Sequence, residues 1–125
     1  MAGLPRISEA EWDVMEVIWA RPSITANEIV EALSGLRDWS PRTIKTMLNR
    51  LVRKGALSFQ PLGKQYLYRP NVSRRRYVRS ESRSFLRRVF AGKEASMLVH
   101  LVGSAKLSRE EIRELRKILD TKKGN

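Results

Sequence analysis

The chain has 125 residues, with 25 Lys or Arg against 13 Asp or Glu and a net charge of +12. That length holds one domain, or one small domain with an appendage, and is too short for most two-domain enzymes. With no cysteine and a single histidine, disulfides, thiolate metal sites and multi-histidine metal centres are excluded. No apolar run approaches the roughly 18–20 residues of a membrane span. The start, Met1 to Arg6, runs into charged residues without the hydrophobic stretch of a signal peptide. The expectation is a soluble, cytoplasmic protein whose charge suits a polyanion.

The charge is unevenly placed. Residues 1–35 carry a net −4, residues 36–92 a net +13 and residues 93–125 a net +3. A surface charged only for solubility would spread its excess more evenly.

Ser8 to Ala20 reads as a helix. Ser8 with Glu11 forms a capping box, and Glu9, Glu11 and Asp13 suit the positive end of a helix dipole. Trp12, Met15 and Trp19, widened by Val14 and Ile18, make an apolar stripe that predicts core packing for both tryptophans. A second capping box, Thr25 with Glu28, opens a short helix through about Leu33. Ser40-Pro41 supplies an N-cap and a first-turn proline for a third helix, expected to reach Lys54, with Gly55 as its left-handed cap. Two extended runs, about 57–60 and 65–69, flank the turn cluster Pro61-Leu62-Gly63-Lys64 and read as a β-hairpin. Helices are then expected over about 73–90, 94–102 and 108–119, the last opened by Ser108 with Glu111. The fold class is mainly α with a small hairpin: a winged helix-turn-helix domain over residues 1–71, then a helical dimerisation region over residues 72–125.

The third helix carries the functional signal. Ile44, Met47, Leu48, Leu51 and Val52 form one apolar stripe, and at about 100° per residue Arg42, Thr46, Asn49 and Arg53 point the other way. Thr43, Lys45 and Arg50 flank them, and no acid lies on that outer face. A helix needing only solubility usually mixes Glu with Lys at i,i+4. A basic and hydroxyl face fits the roughly 12 Å wide major groove of DNA, where Arg and Lys donate to guanine and Thr offers a hydroxyl or a methyl. Residues near the helix start reach bases and the cap region binds phosphate. Arg42, Thr43 and Lys45 are therefore assigned to bases, and Ser40, Thr46 and Arg50 mainly to phosphates. Lys64, at the hairpin tip, would lie along the backbone or in the minor groove. Tyr66 and Tyr68 share one strand face; base stacking is open to them, but packing is the favoured reading.

Residues 73–119 have their own pattern. Val78, Phe85, Leu86, Val89 and Phe90 form a stripe on the first helix; Met97, Leu98, Leu101 and Val102 on the second; Ile112, Leu115, Ile118 and Leu119 on the third. Three short helices cannot bury such faces alone. A second copy should cover them, through Phe85, Val89, Met97, Leu98, Leu101, Ile112, Leu115 and Leu119, and a two-fold dimer matches a palindromic DNA site. The arginines at 74–76, 79, 83, 87 and 88 fit either added phosphate contacts or a solvated face, and His100 reads as a packing residue before a switch.

The run WSPRTIKTMLNRLVRKGAL from Trp39, with SEAEWDVMEVIW from Ser8 and SREEIRELRKIL from Ser108, resembles the penicillinase and methicillin-resistance repressors of bacteria. Copper-responsive repressors belong to the same wider family. The resemblance implies a dimeric winged-helix repressor that blocks transcription from inverted-repeat operators with TACA and TGTA half-sites. It implies base readout at the positions of Arg42, Thr43 and Lys45, and phosphate contact at Thr46 and Arg50. Arg42 and Lys45 stand where relatives often have Lys and Arg, a swap that keeps charge and changes hydrogen-bond geometry. In relatives that respond to β-lactams, a membrane sensor with a zinc protease domain leads to cutting at an Asn-Phe bond in the dimerisation region. The matching pair here is His100-Leu101, and neither residue fits that motif. The copper branch senses through cysteines, which this chain lacks.

The expected partners are thus double-stranded DNA with a palindromic operator, a second copy of the chain and, for release, a protease of a sensor pathway; no membrane partner is expected. A nucleoid-type architectural protein that binds DNA without sequence choice is the alternative. RNA binding is disfavoured because the A-form groove is narrow and deep. We assign no catalytic residue, metal or cofactor, since cap and dipole roles explain most acids of the first helix and the chain has no cysteine nucleophile and no second histidine for paired chemistry.

Overall fold

The computed structural model describes residues 4–124. The chain divides into two compact units, Met1–Arg83 and Ser84–Asn125. The elements run α1 (Glu9–Ala20), β1 (Ile24–Thr25), α2 (Ala26–Ser34), α3 (Pro41–Arg53), β2 (Leu57–Leu62), β3 (Gln65–Pro70), α4 (Arg74–Phe90), α5 (Glu94–Ser104) and α6 (Arg109–Lys123). This is the expected winged-helix order, mainly α with a hairpin. The first unit ends twelve residues beyond the expected boundary at residue 71, inside α4.

The helix starts follow from their caps. The Ser8 and Thr25 hydroxyls accept the Glu11 and Glu28 N–H groups, while the carboxylates return to the cap N–H groups. Thr25 also explains β1, which the sequence did not announce. An N-cap residue takes extended backbone, here φ −80° and ψ 159°, and Ile24 beside it is buried. That extended pair adds to the hairpin, with Ile24 opposite Tyr68 and Thr25 opposite Leu67. The sheet therefore has three strands in the order β1-β3-β2.

The hairpin is longer than its sequence suggested. Leu62 pairs with Gln65, leaving only Gly63-Lys64 as the loop. Gly63 adopts φ +63°, which a two-residue turn with glycine first requires. Pro61 is tolerated within β2 because β2 is an edge strand.

The core lies between α1, α2, α3 and the sheet. Val14, Met15, Ile18, Ile29, Leu33, Ile44, Leu48, Leu51 and Leu57 are buried together with Tyr68. Trp12 and Trp19 are half-buried and stack edge-on at 5.2 Å between ring centroids. The Trp19 indole donates to the Val72 carbonyl at 2.9 Å. Tyr77 closes this aromatic cluster, 5.8 Å from Trp19 and 6.2 Å from Trp12. Tyr77 is thus the residue of early α4 that this core takes up, a role the sequence did not signal, while Val78 is exposed in the single chain. The Glu16–Arg74 ion pair adds a second tie at 2.5 Å. These contacts are why the first unit reaches into α4.

In the second unit α5 and α6 contain no buried residue. Phe85, Val89, Leu98, Leu101, Ile112 and Leu119 are exposed, and Met97 and Leu115 are half-buried. Both helices run past their expected ends at 102 and 119, α6 with Lys122 and Lys123 in its last turn where cations suit the dipole. The α4–α5 joint places Ala91 at φ +51° and Gly92 at φ +81°.

Candidate nucleic-acid interface

Helix α3 is thirteen residues long, roughly 20 Å. Ile44, Met47, Leu48 and Leu51 are buried and Val52 half-buried, so the apolar stripe fixes which way the helix faces. Ser40, Arg42, Thr43, Lys45, Thr46, Asn49, Arg50 and Arg53 are all exposed. Arg53 shares this face and belongs with the four cations first singled out. Lys64 is exposed in the hairpin loop.

Four cations lie in ion pairs among the described residues, and most of the others, those of α3 included, do not. Arg21 pairs with Glu28, Arg37 with Asp13, Lys54 with Glu11 and Arg74 with Glu16. Among the described residues, Arg42, Lys45, Arg50, Arg53 and Lys64 have no acidic partner. A cluster of unneutralised cations on a rigid element repels itself, and an incoming polyanion relieves that repulsion.

The hydroxyls are less free than the cations. The Ser40 hydroxyl accepts the Thr43 N–H at 3.2 Å and lies 3.0 Å from the Thr43 hydroxyl. The Thr46 hydroxyl donates its only proton to the Arg42 carbonyl at 3.0 Å. To donate to a phosphate it must rotate away from that bond. Arg42, Thr43 and Lys45 stand together in the first two turns, with Arg50 and Arg53 further along.

An ion pair between a solvent-reached lysine and a buried carboxylate holds the helix end. Lys54, the C-cap of α3, reaches the Glu11 carboxylate at 2.5 Å and the Arg6 carbonyl at 3.0 Å. Burial pushes the Glu11 carboxyl up, but Lys54 and the Ser8 N–H and hydroxyl outweigh it and hold the group below its ordinary range. By composition Lys54 is only the last residue of a basic helix. Nothing in a linear pattern signals that it serves the start of α1 instead. The turn after it has Gly55 at φ +84°, with the Gly55 and Ala56 N–H groups bonded to the Val52 and Leu51 carbonyls, as a left-handed helix cap demands.

The wing carries an aromatic pair. Phe59 lies opposite Tyr68 and Pro61 opposite Tyr66, so all four share one face. Tyr68 is buried, as packing predicted, whereas Phe59 and Tyr66 are 48% and 49% exposed and meet edge-on at 4.9 Å. Register alone brings Phe59 to Tyr66, and the sequence reading passed over Phe59.

Residues 7–121 match the penicillinase repressor family. The chain belongs to that family. The penicillinase repressor of Bacillus licheniformis is 44% identical over 124 residues, covering 99% of this chain and 97% of that protein. The methicillin resistance regulatory protein MecI of Mammaliicoccus sciuri is 38% identical over 116 residues, covering 93% of this chain and 94% of its own. The DNA-binding domain of the repressor BlaI, solved in solution, superposes with a TM-score of 0.56 at 47% identity, over 62% of this chain and 94% of that one. Bacillus licheniformis BlaI in complex with the blaP half-operator gives a TM-score of 0.54 at 47% identity, with the same coverage. This is a family of DNA-binding transcriptional repressors, not of enzymes. No helix among the described residues is long and apolar enough to cross a membrane.

Proposed function

We propose that this penicillinase-repressor family member acts as a homodimer, reads inverted-repeat operators with α3, and blocks transcription by occupying the promoter. The observation that carries the reading is the acid-free outer face of α3. Arg42, Lys45, Arg50 and Arg53 are exposed on it, and none has an acidic partner among the described residues. The half-operator complex of a relative supports DNA as the polyanion. The first unit, which reaches to Arg83, would suffice for one half-site, and the second would join two copies.

The uncovered apolar side chains of the second unit support the dimer. Phe85, Val89, Leu98, Leu101, Ile112 and Leu119 lie exposed in the single chain, and burying them against a second copy yields roughly 25 cal/mol per Å² of apolar surface. Two copies related by a two-fold axis present two α3 helices to a palindrome. Such a repressor works where the operator is, in the bacterial cytoplasm.

Within α3, Arg42, Thr43 and Lys45 are assigned to base edges, and Ser40, Thr46, Arg50 and the wing Lys64 to phosphates. Arg42→Ala should weaken the preferred operator by roughly 1–3 kcal/mol and leave random DNA little changed, whereas Arg50→Ala should weaken both alike and flatten the salt dependence by about one phosphate. Equal losses on both duplexes for Arg42→Ala would remove the base-contact assignment and favour an architectural DNA binder without sequence choice.

Release by a sensor-pathway protease would act in the second unit, at the position of His100-Leu101. Both residues are exposed in the middle of α5, and a helical bond must open locally before a protease can hold it. Intact-mass measurement of the chain from β-lactam-treated cells tests this: fragments ending at His100 support the route, and an uncut chain on a derepressed promoter rules it out.

A further inference from the structure

Beside the start of α3 lies a cavity of about 490 Å³, lined by Glu9, Ala10, Trp12, Asp13, Arg37 and Trp39. That volume lies within the range of small-molecule sites. Two indoles and two carboxylates face one guanidinium, so the lining is locally anionic in a chain of net charge +12. Arg37 already shows what the lining holds. Its guanidinium pairs with Asp13 at 2.7 Å and lies 5.8 Å from the centre of the Trp39 ring. Asp13 is thereby neutralised. Glu9 has no ionic partner among the described residues, and Trp12 is held in place by its contacts with Trp19 and Tyr77.

From this combination we infer a binding site for a small organic cation with a flat guanidinium or amidinium head. The head would stack on the Trp39 and Trp12 faces, where a cation is drawn to the ring quadrupole, and pair with the Glu9 carboxylate. The DNA-reading face of α3 does not include Glu9 or this cavity. Trp39 directly precedes the Ser40 N-cap, so an occupant would be held one residue from α3.

The test uses the full chain without DNA, so its outcome is independent of the repressor reading. N-butylguanidinium is titrated at constant ionic strength against the indole N–H signals of the three tryptophans in proton–nitrogen correlation spectra. N-butylurea, of the same shape without charge, is the control. The Trp39 and Trp12 signals should move saturably with the cation and not with the urea, the dissociation constant being on the order of 1 mM for a few weak contacts. Glu9→Gln should weaken binding up to about fivefold, and Trp39→Leu should abolish the Trp12 response. The Trp19 signal, whose N–H is bonded to the Val72 carbonyl, reports that each variant is folded. No saturable movement of Trp39 by about 20 mM, well above that range, would overturn the site. An equal response to the urea, or unchanged affinity in Glu9→Gln, would overturn the recognition of charge.

Discussion

Lys54→Met should destabilise the first unit in a way that depends on pH. In the native protein the Glu11 side chain is 3% exposed and pairs with Lys54, whose own side chain is 35% exposed. Removing one partner of a fully buried pair costs about 3–5 kcal/mol. Solvent reaches Lys54, and Ser8 still donates its N–H to Glu11 at 2.9 Å, so about 2–3 kcal/mol is the expected loss at pH 7. For a unit of this size that lowers Tm by roughly 10–20 °C. The Glu11 carboxyl is depressed in the folded chain. Its contribution is therefore present above the unfolded value near 4.5 and lost as pH falls through the depressed folded value. In Lys54→Met, burial no longer meets an opposing cation, the Glu11 pKa rises, and protonation relieves the penalty. The gap between variant and native chain should thus be widest at neutral pH and narrow towards pH 3. Adding Glu11→Gln to Lys54→Met removes the buried charge while keeping an acceptor for Ser8, and should restore part of the loss. Thermal unfolding by circular dichroism between pH 3 and 7 reads all three chains. A gap that is the same at every pH, or no recovery in the double variant, would refute the ion-pair reasoning.

Three further expectations concern the packing and the joints. The buried Tyr77 hydroxyl has no hydrogen-bond partner among the described residues, and burial raises its pKa; Tyr77→Phe should therefore be neutral or slightly stabilising, whereas Tyr77→Ala should cost about 3–5 kcal/mol in urea unfolding. Ala91→Gly should stabilise the second unit by about 0.5–1 kcal/mol, because a left-handed Ala91 costs more than the entropy glycine adds to the unfolded chain. Leu101→Asp should leave unfolding of the first unit unchanged and shift the sedimentation coefficient to that of a monomer; an unshifted value would remove Leu101 from the interface.

The first three helices were legible because caps and stripes are local. Ser8, Thr25 and Ser40 mark helix starts with their own side chains, and the spacing of Ile44, Met47, Leu48 and Leu51 dictates which face of α3 is buried. The outward direction of Arg42, Lys45 and Arg50 follows from that spacing. What escaped was set by partners distant in sequence. β1 is two residues with no periodicity, and it exists because Ile24 and Thr25 meet Tyr68 and Leu67. Tyr77 is selected over Val78 by the rings of Trp12 and Trp19. Lys54 belongs to the basic helix by composition and to Glu11 by geometry. The bond of the Thr46 hydroxyl to the Arg42 carbonyl, from which it must rotate to meet a phosphate, is likewise a matter of geometry rather than of pattern.

The most direct measurement of operator reading is a fluorescence anisotropy titration of the full chain at about 0.15 M salt. It compares a duplex carrying the TACA/TGTA inverted repeat with a shuffled duplex of equal composition. A site-specific repressor should prefer the repeat by 10³-fold or more. Equal affinity for the two, together with no preferred sequence emerging from a selection on random DNA, would contradict operator reading and leave a protein that binds DNA by charge alone.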